Sequence, residues 1–121
     1  MQDHRKLKVW IRGTALAVAT RNTTKRFPRN GYRELREQMV SSAESIPFNI
    51  AEGCGASSRK EFARYLSISI KSTSELESQF ELSREYGILP RDTWEMAAKE
   101  TEAVRKMLHG LREKVLGSPK E

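Results

Sequence analysis

The residues of this chain best suited to chemistry are basic and lie near its N-terminus. Residues 1–30 hold eight lysines and arginines against one acidic residue, Asp3, whereas the rest of the chain has fourteen basic and fifteen acidic residues. Clustered positive charge favours binding to a polyanion, because each phosphate contact releases a condensed counterion from nucleic acid. Such contacts supply salt-dependent affinity and little sequence information.

Six of these residues form the candidate nucleic-acid-binding set. Arg5, Lys8 and Arg12 are spaced by three and four residues, so a helix through them would place all three on one face. Lys25, Arg26 and Arg29 follow near the end of the same predicted helix, where the helix dipole also favours cations. The alternative is a solvated helix face whose charges bind nothing.

Catalytic and metal chemistry find little support in the sequence. His4 and His109 are far apart, and no His, Cys, Asp and Glu residues have metal-ligand spacing. Cys54 has no histidine nearby in sequence, so nothing there would lower its pKa. The turn Gly53-Cys54-Gly55 lacks the lysine-serine end of a phosphate loop. We therefore expect a protein that is not an enzyme and holds no metal or cofactor.

The hydrophobic spacing predicts an all-α protein of 121 residues with one domain. Segments rich in Pro, Gly and Asn separate four predicted helices, and no segment is typical of a strand. Short loops between four helices favour an antiparallel, up-down-up-down bundle. The predicted helices cover about residues 6–24, 32–52, 58–86 and 92–116.

The same spacing predicts which side of each helix is buried. Three- and four-residue steps in the last helix predict a seam of left-handed helix packing. This seam comprises Trp94, Ala97, Thr101, Val104, Leu108, Leu111 and Val115. The predicted buried side of the first helix comprises Leu7, Trp10, Ile11, Ala17 and Val18. Ser58 with Glu61, and Asp92 with Glu95, are predicted N-terminal caps of the last two helices.

The second predicted helix contains a proline. Pro47 lies in the run Ser45-Ile46-Pro47-Phe48-Asn49-Ile50-Ala51-Glu52-Gly53. Proline costs about 3 kcal/mol in a helix interior, yet the apolar spacing continues on both sides of it. We expect one long helix kinked at Pro47, with Ile46 and Ile50 in the core. Asn49 and Glu52 would satisfy local hydrogen bonds or, alternatively, contact a partner.

This nine-residue run resembles the signature of the four helix bundle protein family, also called the 23S rRNA intervening-sequence proteins. The similarity spans roughly residues 7–90. Further matching residues are Leu7, Val9, Trp10, Phe27, Pro28, Gln38, Phe62, Leu66, Ser72, Glu75, Leu76, Gly87 and Leu89. The resemblance implies a four-helix bundle that forms a homo-oligomeric ring, with a pentamer favoured, and it supplies no catalytic residue.

The family is also similar to the accessory proteins of diversity-generating retroelements, which form basic pentamers that engage a reverse transcriptase. The resemblance therefore implies RNA, or a protein such as a reverse transcriptase, as a candidate partner. This chain departs from the family where relatives usually carry paired arginines. It has Val40 and Ser41 there, and Glu44 at a usually apolar position. Any contribution of those arginines to nucleic-acid binding is missing here.

Composition also bears on where the protein acts. One cysteine favours a reducing compartment, and no apolar stretch approaches the roughly 18 residues of a membrane span. The charged N-terminus lacks a signal-peptide core, so we expect a cytoplasmic protein with no membrane partner. The leading hypothesis is a non-enzymatic oligomeric accessory protein that binds structured RNA through its basic N-terminal helix. The alternative is a protein-interaction scaffold ring with no direct role in nucleic-acid binding.

Overall fold

The computed structural model describes residues 2–117, and regular structure within them is entirely helical. A single 3-10 turn, His4–Lys6, precedes the four α-helices, and each helix begins and ends within two residues of its predicted bound. The helices are α1 (Lys8–Thr24), α2 (Arg33–Cys54), α3 (Arg59–Glu85) and α4 (Arg91–Leu116). The all-α prediction is therefore confirmed.

The helices form the predicted four-helix bundle. Each helix packs against the next one along the chain, and α1 also touches α4 over a smaller area. The backbone N–H of Gln2 donates to the carbonyl oxygen of Cys54 at 3.2 Å, which ties the start of the chain to the end of α2. The loop between α1 and α2 therefore lies at the opposite end of the bundle. None of the helices in this described part is long and apolar enough to cross a membrane.

Large apolar side chains from α2, α3 and α4 meet in the centre of the bundle. They are Met39, Ile46, Ile50, Leu66, Leu76, Phe80, Val104 and Leu108, all essentially inaccessible to solvent. Burial stabilises the fold by about 1.5–3 kcal/mol for each such side chain. The predicted α4 seam is confirmed, because Thr101, Val104 and Leu108 are buried and the remaining members pack against the core.

Buried hydroxyl groups in this core hydrogen-bond to helix carbonyl groups. Thr101 donates to the carbonyl oxygen of Ala97 at 2.7 Å, and Ser69 of α3 donates to that of Ile46 in α2 at 2.9 Å. These bonds avoid the cost of a buried polar group without a partner. Small polar residues on α3, such as Ser69 and Thr73, can therefore face the core.

The buried side of α1 differs from the prediction. Ile11 and Val18 are 52% and 57% exposed, so their predicted burial was wrong, whereas Val9, Gly13 and Leu16 are buried. The reason is close packing of α1 on α2. A Cβ atom added to Gly13 would lie 3.1 Å from Cγ2 of Ile46, so the glycine lets the two helices approach.

One predicted cap is present and the other is not. The Ser58 hydroxyl accepts a hydrogen bond from the backbone N–H of Glu61 at 3.0 Å, as an N-cap does. In a capping box the Glu61 carboxylate would accept a hydrogen bond from the backbone N–H of Ser58. Here it pairs with Arg64, whose hydrogen bonds lower the pKa of Glu61. The prediction for Asp92 was wrong. Helix α4 already begins at Arg91, which places Asp92 inside the first turn.

Candidate nucleic-acid interface

The six candidate basic residues do not form one continuous patch. Helix α1 begins at Lys8, so Arg5 lies in the preceding 3-10 turn rather than on the face of α1. A helix rises 1.5 Å per residue, which places Lys8 and Lys25 about 25 Å apart. The structure thus separates an N-terminal group from a second group at the α1–α2 loop.

Two members of the N-terminal group form ion pairs within the chain. The Arg12 guanidinium binds Glu100 of α4 through two contacts, Nη2 to Oε1 at 2.7 Å and Nε to Oε2 at 3.0 Å. These hydrogen bonds raise the pKa of Arg12. Arg5 binds Asp3 at 3.0 Å and lowers the pKa of that carboxyl. A phosphate would have to compete with a carboxylate at both arginines, which leaves Lys8 as the more accessible charge.

The second group contributes to a groove between the end of α1 and the face of α2. The groove has a volume of about 830 Å³, within the range of roughly 300–1,000 Å³ that is typical of ligand clefts. Four cations line it: Arg21, Lys25, Arg29 and Arg36. We call this surface the basic groove. Arg26 lies outside it and lines a separate groove between α1 and α4.

The cations of the basic groove are held in different ways. Nη1 of Arg36 donates to the carbonyl oxygens of Pro28 and Gly31, at 3.2 and 3.3 Å. Arg21 pairs with Glu44 at 3.0 Å. Within residues 2–117, the side chains of Lys25 and Arg29 form no ion pair. These two can contact an anion without giving up an internal partner.

The loop that carries Arg29 is fixed at both of its ends. Phe27 is buried in the core cluster and anchors the first half. Gly31 and Tyr32 both have a positive φ, 83° and 61°, which turns the chain into α2. This conformation is uncommon for a residue other than glycine. The Tyr32 ring packs on Tyr86 at a centroid distance of 5.4 Å, which holds the turn in place.

Acidic residues offset part of the charge in the basic groove. Glu37 and Glu44 line it, so four basic residues face two acidic ones. Both carboxylates already have partners, Glu37 with Arg33 at 3.1 Å and Glu44 with Arg21. Val40 and Ser41 line the same groove. The departure from the paired arginines of the family therefore falls on this surface.

Sequence reasoning missed Arg21 and Arg36 as part of this surface. The two lie fifteen residues apart on different helices, and no periodic pattern connects them. Arg21 was visible within the basic N-terminal segment, but Arg36 lies in a stretch of balanced charge. Their convergence depends on the path of the α1–α2 loop.

The signature residues lie mostly at helix contacts. Helix α2 continues through Pro47, and Nδ2 of Asn49 donates to both the carbonyl oxygen and the hydroxyl of Ser45, each at 2.9 Å. Ser72 of α3 donates to the same hydroxyl at 2.8 Å. Ile46, Ile50 and Gly53 are buried, Ala51 is half-buried, and Glu52 is exposed. These contacts favour the structural interpretation of Asn49 over partner contact.

The remaining potentially reactive side chains are Cys54 and the possible metal ligands of residues 2–117. Cys54 is buried, and burial raises the pKa of its thiol, which keeps it protonated near neutral pH. Across residues 2–117, no group of three or more His, Cys, Asp and Glu side chains is arranged to hold a metal ion.

The fold and this groove define a small helical-bundle protein with a basic surface at one loop. Residues 5–110 match the model of the family described as 23S rRNA-intervening sequence protein, so the chain belongs to that family. The resemblance carried by the signature is thereby confirmed. The further likeness to retroelement accessory proteins stays a prediction.

A solved structure shows the same architecture. It is a protein with unknown function from the S23 ribosomal protein family of Bacteroides thetaiotaomicron VPI-5482. The two structures superpose with a TM-score of 0.82 and 25% sequence identity, over 87% of this chain and 98% of that one. No curated protein matches the chain.

Proposed function

We propose that this protein is a non-enzymatic, oligomeric accessory protein of the cytoplasm that binds structured RNA through the basic groove. The observation that carries the proposal is the pair Lys25 and Arg29. Their side chains form no ion pair with any residue from 2 to 117, and they lie in a groove that Arg21 and Arg36 also line. The description of the family, which refers to 23S rRNA, agrees with an RNA partner.

The cations of the groove are suited to binding phosphate groups. Arginine presents a planar fork of donors that binds phosphate through two contacts, and lysine adds a mobile point charge. Carbonyl groups already orient Arg36, which reduces the entropy lost on binding. Such contacts fix RNA by its backbone and supply affinity that falls with salt.

The test is fluorescence-polarisation binding of a labelled RNA hairpin at about 50 and 200 mM salt. Four phosphate contacts predict a loss of roughly 50- to 150-fold in affinity over that range. The double variant Lys25→Glu/Arg29→Glu should bind far more weakly at low salt. Absence of binding by the wild-type protein at low salt would refute the proposal.

The matched control is Lys60→Glu/Lys114→Glu, which makes the same change in net charge. Lys60 lies in the first turn of α3 and Lys114 in the last turn of α4, so both lie at the other end of the bundle. We expect this control to keep most of the affinity. An equal loss of RNA affinity in both double variants would mean that only net charge matters. It would contradict binding at the basic groove.

A second candidate function, a protein-interaction scaffold, rests on the exposed apolar residues of α1 and α4. Ile11 and Val18 are seven residues apart on α1, and Met96 of α4 is 73% exposed. Met96 lines the 660 Å³ groove between these helices. Self-association, with a pentamer as the favoured ring, or a protein such as a reverse transcriptase would cover these exposed apolar side chains.

The scaffold function is tested by light-scattering mass measurement of Ile11→Ser/Val18→Ser beside the control Leu82→Ser, which changes an exposed leucine of α3. A smaller assembly for the α1 variant alone would support a contact surface on α1. A mass unchanged from the wild-type protein would count against it. Partner capture that persists in Lys25→Glu/Arg29→Glu would favour the scaffold over RNA binding.

A further inference from the structure

Phe48 lies in the basic groove with its ring largely in water. It is 66% exposed, whereas its apolar neighbours in the signature, Ile46 and Ile50, are fully buried. The residue lines the groove together with Arg21, Lys25 and Arg29. An aromatic ring therefore stands beside the cations that could hold a phosphate backbone.

This combination is the one by which proteins hold unpaired nucleotides. Cations contact the backbone, and an exposed aromatic ring stacks on a base. Bases within a duplex are stacked on one another and are not available to a side chain, whereas bases of loops and bulges are. A groove that served only duplex phosphates would gain nothing from an exposed phenyl ring.

We propose that Phe48 is a base-stacking residue, and that the basic groove binds an unpaired nucleotide of RNA rather than a continuous duplex. The inference rests on the proposed function, since it names the part of the RNA that the groove takes. Lys25 and Arg29 hold the flanking phosphates, and the Phe48 ring packs against the base between them.

The contacts around Phe48 leave its ring available. Its helical neighbour Glu44, one turn earlier, pairs with Arg21 and so does not repel the backbone as a free carboxylate would. The adjacent Asn49 donates its amide hydrogens to Ser45 within α2. Within residues 2–117, no other aromatic ring stacks on that of Phe48.

The experiment compares two labelled RNAs with equal numbers of phosphates: a hairpin with an unpaired loop and a fully paired blunt duplex. The variants are Phe48→Leu, which keeps an apolar side chain without a stacking face, and Phe48→Tyr, which keeps the face. We expect the wild-type protein to prefer the hairpin. Phe48→Leu should weaken hairpin binding about tenfold and duplex binding by less than about twofold, and Phe48→Tyr should behave as wild type.

The outcomes distinguish base stacking by Phe48 from the RNA binding on which that inference rests. If Phe48→Leu binds the hairpin as tightly as wild type while Lys25→Glu/Arg29→Glu does not, the groove binds RNA without stacking and the inference is overturned. If neither RNA binds the wild-type protein at low salt, the proposed function itself fails. If Phe48→Leu changes the mass of the assembly, Phe48 packs between copies of the chain, which also overturns the inference.

Discussion

Gly53, at the end of the signature, lies where α2 packs on α3, and we predict that only glycine fits there without moving the helices. Replacement of Gly53 by alanine tests this directly. A Cβ atom at this position would lie 2.7 Å from Cδ1 of Phe62 and 3.1 Å from Cβ of Tyr65. The Phe62 ring can swing aside, but Cβ of Tyr65 is attached to the backbone of α3. The added methyl group therefore forces α2 and α3 apart.

The magnitude follows from two opposing terms. Overpacking costs about 1–3 kcal/mol, and the contact with Cβ of Tyr65, which cannot move without its backbone, places Gly53→Ala in the upper half of that range. Alanine is favoured over glycine in a helix by up to about 1 kcal/mol. The variant should therefore lose about 1–2 kcal/mol of unfolding free energy.

The same substitution at Gly110 is the matched control. Gly110 lies inside α4 and is exposed, and a Cβ atom added there meets nothing within 4 Å. Only the helix-propensity term remains, so Gly110→Ala should gain about 0.5–1 kcal/mol. The two substitutions are chemically identical and are predicted to have opposite signs.

Urea unfolding followed by circular dichroism measures both variants. The protein concentration must be held fixed and then varied, because an oligomer makes apparent stability depend on concentration. Equal changes in the free energy of unfolding of the two variants, or a gain in stability for Gly53→Ala, would refute the claim. They would show that close approach of α2 and α3 does not require a glycine at position 53.

Three further predictions concern α1 and the end of α2. Gly13→Ala should cost less than Gly53→Ala, about 1 kcal/mol in urea unfolding, because Cγ2 of Ile46 at 3.1 Å can yield slightly; a larger loss would contradict this ranking. A double-mutant cycle on Arg12 and Glu100 should give a coupling of at most about 1 kcal/mol, since both side chains are well exposed; a much larger coupling would show that the pair anchors α1 to α4. Burial raises the pKa of the Cys54 thiol above its ordinary value of 9.0, so the native protein should react slowly with a thiol reagent at pH 8 and quickly in urea. Because the pKa of Cys54 is higher in the folded than in the unfolded protein, the contribution of the protonated thiol to the free energy of unfolding is fully present below pH 9.0. That contribution is lost as pH rises through the folded pKa. Fast reaction of the native thiol at pH 8 would contradict the raised pKa.

The sequence predicted α4 well and α1 poorly, for a physical reason. The α4 seam repeats large apolar residues such as Val104 and Leu108 at regular steps, so its buried side follows from spacing alone. In α1 the buried side runs through Gly13 and Thr20, and larger residues such as Ile11 face outward. The side of α1 that packs closely on α2 depends on the shape of the α2 surface. The spacing of apolar residues within α1 contains no information about that shape.

The candidate site was predictable only in part. Charge counting singled out Lys25 and Arg29, which line the basic groove. It grouped them with Arg5 and Arg12, both of which form ion pairs. Arg5 pairs with Asp3, two residues earlier, and Arg12 pairs with Glu100 of α4, which is far away in sequence. The pairing of Arg12 with α4 is a tertiary contact, so its own segment carries no signal of it.

The most direct test of RNA binding at the basic groove is the salt slope of RNA affinity in the wild-type protein and in Lys25→Glu/Arg29→Glu. For single-stranded RNA each phosphate contact contributes about 0.7 to the slope of log affinity against log salt. Loss of two contacts should lower the magnitude of the slope by about 1.4, while Lys60→Glu/Lys114→Glu keeps the wild-type slope. Identical slopes in all three proteins would contradict binding at the basic groove.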